Sequence, residues 1–140
     1  MTRLGDIPPS DKFYDEAYVF QNPAVNIASG QSSTVTVATY TMPMAGTLTA
    51  SLAVVASWVG MQHYVADIAF SSPAPTANFP TFAQEESRGA TIWVQSKALA
   101  LWSGLAKGTI VTVNCRFTAW TAAPTITAQW IYGWLRASKQ

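Results

Sequence analysis

Thr109-Ile110-Val111-Thr112-Val113-Asn114-Cys115-Arg116-Phe117 decides the fold. Val111, Val113, Cys115 and Phe117 recur at every second position among β-branched residues, which is the signature of a strand with one buried face. The same alternation predicts a strand as far as Trp120. Upstream, Thr34-Val35-Thr36-Val37-Ala38-Thr39-Tyr40-Thr41 reads as a second strand. Pro43 and Gly46 mark a turn, after which Leu48, Ala50, Leu52 and Val54 share one face of the next. A further run, from Ala56 to Phe70, puts Trp58, Tyr64, Ile68 and Phe70 on one parity and His63 and Asp67 on the other.

Later elements follow the same logic. Thr91 to Gln95 reads as a strand, whereas Lys97 to Leu105 suits a helical turn as well as a strand. Gly104 and Gly108 bracket the turn before Thr109, and Ala122-Ala123-Pro124 turns the chain again. Thr125 to Leu135 closes the domain with Ile126, Ala128, Trp130, Tyr132 and Trp134 on one parity. Short strands separated by Gly/Pro turns predict an all-β fold, an antiparallel β-sandwich.

Two segments depart from this pattern. Ser71 to Pro80 carries Pro73, Pro75 and Pro80, and Thr81 to Gly89 adds Glu85, Glu86 and Arg88. Together they read as one long loop, bearing Phe79 and Phe82, of the kind that is functional or buried in a contact. Residues 1–26 read as an extended N-terminal arm ahead of a sandwich domain at 27–140. The arm combines charges with Pro8-Pro9, Pro23 and the aromatics Phe13, Tyr14, Tyr18 and Phe20. Either it frays as a terminus or it orders against a partner.

Composition bounds the function. A chain of 140 residues and 15.1 kDa fits one domain. Lys+Arg of 8 against Asp+Glu of 7 leaves a net charge of +1, which gives no basic stripe for nucleic acid. A hydrophobic fraction of 49% argues against intrinsic disorder. Only 11% of residues are charged, against about 25% in an ordinary soluble domain. The single cysteine, Cys115, excludes an internal disulfide and a cysteine-rich zinc site, and its place in the alternation suits a small buried hydrophobe. Met1 to Glu16 holds charges and prolines where a signal peptide needs an apolar stretch. Met42 to Met61 is uncharged, yet Pro43, Gly46, Gly60 and its period of two argue against a membrane span.

Three short motifs carry a family resemblance. They are Tyr40-Thr41-Met42-Pro43-Met44-Ala45-Gly46-Thr47-Leu48, Leu105-Ala106-Lys107-Gly108-Thr109-Ile110-Val111 and Ile131-Tyr132-Gly133-Trp134-Leu135. In this order they resemble the jelly-roll family of tumour-necrosis-factor-like and complement-type globular heads, with its relatives on phage fibres and capsids. Leu48 stands where that family has tyrosine, and Thr109 where it has aspartate. The resemblance implies a jelly-roll-like sandwich and a trimer formed through aromatic faces.

No enzyme motif emerges. His63 and Asp67 share a face of one strand but stand roughly 13 Å apart, too far for a catalytic hydrogen bond. Glu85-Glu86 lack a second carboxylate pair across a cleft, and no His/Cys/carboxylate cluster suggests a metal or a cofactor. The six tryptophans remain. Not all of them fit inside one small sandwich, and Trp58, Trp130 and Trp134 are the candidates for an oligomer interface. Strand faces carrying Thr, Ser and Ala in place of Lys and Glu invite contact with other chains.

The expectation is therefore a non-enzymatic bacteriophage virion protein that decorates the capsid as a homotrimer. Its contacts with a major capsid protein or another virion protein would run through the arm and loop residues Arg3, Pro8, Pro9, Phe13, Tyr14, Tyr18, Phe20, Phe79 and Phe82. The alternative is a tail or fibre-tip domain that stacks host glycans on exposed tryptophans.

Overall fold

The computed structural model describes residues 14–28, 30–119 and 125–139, apart from the side chains of Met61, Ser87 and Arg88. Arg3, Pro8, Pro9, Phe13 and Trp120 lie outside the described residues. Eight strands follow in order: β1 (Tyr14–Gln21), β2 (Val25–Ile27), β3 (Ser32–Thr41), β4 (Gly46–Asp67), β5 (Ala77–Phe79), β6 (Thr81–Leu105), β7 (Ile110–Ala119) and β8 (Ile126–Lys139). All pairings are antiparallel.

The architecture is a sandwich of two antiparallel sheets, as the alternation predicts. Two long strands build both layers. The first part of β4, Gly46 to Ser57, lies between β8 and the second half of β6. Its last part, Tyr64 to Asp67, lies between β7 and the first half of β6. One layer therefore runs β1-β8-β4-β6-β5, and the other runs β3-β7-β4-β6. The register breaks between Trp58 and Gly60, where Gly60 takes a φ of +95° that an L side chain rarely adopts.

Between the layers, Val111, Val113, Cys115 and Phe117 of β7 point inward, facing Leu48, Leu52 and Trp102 across the core. Tyr64 sits at its centre. Its ring packs edge-on against Trp58 at 5.9 Å and lies 5.9 Å from Phe117. Its hydroxyl hydrogen-bonds Ser96 at 2.7 Å, on the part of β6 that belongs to the other layer. Trp102 donates its indole N–H to the Pro73 carbonyl at 2.8 Å and so pins the loop after β4.

Several expectations change. Residues 81–89 are not loop but the first half of β6, and Phe79 lies on β5. Lys97 to Leu105 is strand, with Ala98, Ala100 and Trp102 inward. Asp15 and Gln21 bind the second half of the arm into the fold. Tyr40 donates to the Asp15 carboxylate at 2.7 Å, and the Gln21 amide donates to the Val37 carbonyl, at the bulge of β3, at 3.0 Å. Tyr14 to Gln21 is thus a strand hydrogen-bonded to β8. In β8 a bulge at Gln129, opposite Val55 and Ala56, reverses the parity. Ile126 and Ala128 point into the core as expected, while Trp130, Tyr132 and Trp134 turn outward and Ile131 and Leu135 replace them inside.

A Cβ at Gly133 would run into the Ser51 carbonyl on β4. Gly133→Ala is expected to cost about 2–3 kcal/mol, because backbone rather than a side-chain tip must yield. An unchanged urea midpoint would refute this packing.

Burial pushes the Cys115 thiol from 9.0 up to about 12, with the nearby Asp67 carboxylate adding to the shift. Burial likewise lifts the Tyr64 phenol from 10.0 to about 12. A raised native pKa gives stability that is complete below the unfolded value and lost as pH climbs through the native one. The melting temperature should therefore fall steadily between pH 9 and 12. Cys115→Ala should delay the onset towards the tyrosine range, and an identical profile for that variant would contradict the assignment.

Candidate functional site

The two outer faces of the sandwich differ in kind. On the β3–β7 side, Thr36 donates to Asn114 at 2.9 Å and the Ser32 and Thr118 hydroxyls meet at 3.1 Å. Exposed rings on that layer are matched by polar neighbours. The Arg116 guanidinium covers Phe70 at 3.8 Å while pairing with Asp67 at 3.1 Å, and His63 lies 5.3 Å from Phe82.

The outer face of β1-β8-β4-β6-β5 is aromatic. One row of cross-strand partners runs Tyr18, Trp134, Ser51, Leu99, Phe79 over all five strands. The next runs Phe20, Tyr132, Ala53, Lys97. Tyr18, Trp134 and Trp93 remain 56%, 48% and 53% exposed, and Trp130 is 36% exposed. Two ring pairs organise the surface. Tyr18 stands edge-on to Trp134 at 5.2 Å. Trp93 of β6 and Trp130 of β8 stack at 5.1 Å with 14° between their planes. Because β4 lies between those strands, this stack bridges over it.

Small residues on β4 make the face concave. Ser51 and Ala53 floor a shallow trough of about 320 Å³, walled by Tyr18, Tyr132 and Trp134 on one side and by Gln95 and Lys97 on the other. No carboxylate lines it among the described residues. Glu16, one row away, is engaged by Arg136 at 2.6 Å. The exposed side chains of Gln95 and Lys97 make no hydrogen bond or ion pair with another described residue.

The structure sorts the expected site residues. Tyr18, Phe20, Trp130 and Trp134 share this face, and Tyr14 and Phe79 extend it. Phe82 lies on the other layer. Trp58 is corrected: at 3% exposure, with its N–H donated to the Glu85 carbonyl at 3.2 Å, it belongs to the core and cannot serve an interface. Trp93, Gln95, Lys97 and Ser51 were not singled out by the sequence. The signal for Trp93 was its alternation with the inward Ile92 and Val94.

Among the described residues no group of three His, Cys, Asp or Glu is placed to hold a metal ion, and no helix is long and apolar enough to cross a membrane. Asp67 is held by Arg116, and its carboxylate also accepts the Ala69 N–H at 3.2 Å.

No family model and no curated protein matches the chain. Among solved structures it is similar to a chain in the tripod (BppUct-A-L) from the baseplate of bacteriophage Tuc2009, with 14% sequence identity and a TM-score of 0.48. The likeness covers 89% of this chain and 64% of that one, so the present chain spans less than two thirds of its length.

The trough and the core make opposite demands on tryptophan. Trp102→Ala should cost about 3–5 kcal/mol in denaturant unfolding, whereas Trp134→Ala should cost about 1 kcal/mol or less. Equal losses would mean that Trp134 is structural and the face is not a free surface.

Proposed function

We propose that this chain is a non-enzymatic structural module of a bacteriophage particle, placed at the tail or baseplate rather than decorating the capsid, and that its aromatic sheet face meets the ligand or partner. The observation that carries the proposal is the asymmetry between the two layers. One outer face carries cross-strand hydroxyl and amide hydrogen bonds and sets its exposed Phe70 and Phe82 beside Arg116 and His63, while the other leaves Tyr18, Trp93, Trp130 and Trp134 exposed together. Exposed apolar patches of this kind mark contact surfaces. The phage setting is supported by the charge-poor composition, at 11% charged residues, and by the globular-head resemblance of the sequence. The likeness of fold to a baseplate chain accords with the tail-side position and is not what carries it. A homotrimer, in which free edges such as β5 lie near other copies, belongs to the same proposal.

Immunogold labelling of intact particles with an antibody to this chain should mark the tail end. Light scattering of the purified protein should give three times 15.1 kDa. Label spread over the head would return the protein to a capsid role, and label on neither structure would end the virion reading.

A further inference from the structure

We propose that the trough between β8 and β6 is a saccharide-binding site, and that it takes an oligosaccharide bearing a carboxylate at the unit seated on Lys97. This deepens the reading above and rests on it.

The site combines three features that sugar recognition needs. Rigid rings stand at two stations: Trp134 walls the trough, and Trp130, beyond its lining, is four residues away on the outward side of β8, roughly 13 Å along the strand. Such spacing suits a short chain of sugar rings rather than a single one. Both stations are braced, Trp130 by its stack on Trp93 and Trp134 by Tyr18, so little side-chain freedom remains to be lost on binding. Beside Trp134, Ser51, Gln95, Lys97 and Tyr132 offer hydroxyl, amide and ammonium groups that no described residue engages.

Charge distinguishes this occupant from a second copy of the chain. Two troughs packed face to face would bury Lys97 with no carboxylate of the trough to meet it, since Glu16 is held by Arg136 and Glu85 and Glu86 lie beyond the trough, beside Trp93 and Gln95. An unpaired buried ammonium is costly. A sugar carboxylate supplies the missing partner, and sugar hydroxyls are hydrogen-bonded by the amide and hydroxyl groups around it. The apolar C–H faces of the same sugar cover indole rings, which a polar peptide would leave wet.

The test is calorimetric titration of the full chain with defined oligosaccharides, neutral ones and their uronate- or sialate-bearing counterparts. At least one acidic oligosaccharide should bind. Trp134→Ala should weaken that binding tenfold or more. Lys97→Gln should weaken the acidic ligand several-fold, leave any neutral counterpart unchanged and remove the salt dependence. Phe79→Ala, on the same face but outside the trough, should bind as the wild type does. Absence of binding across the panel, or equal affinity of the Lys97→Gln protein for the acidic ligand, overturns the proposal. If the panel fails while Trp134→Ala dissociates the oligomer or keeps the chain off particles, the face docks protein: the saccharide assignment falls and the reading beneath it stands. If labelled particles show no tail position yet acidic sugars bind through Trp134 and Lys97, the reverse holds.

Discussion

The structure depends on the passage of β4 and β6 from one layer to the other. In most sandwiches two sheets meet through side chains alone. Here the same two strands belong to both layers, so the relative position of the sheets is set along the backbone as well as across the core. Tyr64 stabilises that arrangement. Its ring fills the space inside the bend against Trp58 and Phe117, and its hydroxyl reaches Ser96 on the far layer. A buried hydroxyl needs a partner, so layers that slid apart would strand it.

What the sequence disclosed, and what it hid, follows from the same geometry. β7 was legible because Val111, Val113, Cys115 and Phe117 are buried by a single uninterrupted ladder. β8 was legible as a strand but not in its facing, since one extra residue at Gln129 sends every later side chain to the opposite side. The first half of β6 was hidden for another reason. It pairs only with β4, its Gln84, Glu85 and Glu86 are exposed, and charges on an edge strand imitate a loop. The sequence could say that some tryptophans must lie outside the core. It could not say that Trp58, two residues before the register break at Gly60, is inside while Trp93 is out.

Low charge acquires two meanings on the folded molecule. On one layer it reflects Thr, Ser and Asn side chains that hydrogen-bond across strands and keep water at the surface. On the other it reflects rings. A composition figure averages these and conceals the contrast, because neither Thr nor Trp changes the net charge of +1. The trough was out of reach for the same reason: Ser51 and Ala53 are unremarkable on β4 until Trp134 and Tyr132 on one neighbour and Lys97 on the other rise around them.

An exposed aromatic sheet face is a hazard for a soluble protein, and the way this one is built limits the hazard. Each ring pair covers part of its own area, edge against face for Tyr18 and Trp134 and face against face for Trp93 and Trp130. Lys97 stands among them without a complementary carboxylate, so a second identical face gains apolar area only by stripping water from an ammonium. Lys97 is the one charged side chain that lines the trough. A ligand with a negative group beside apolar C–H surface would meet the cation and the rings in a single pose.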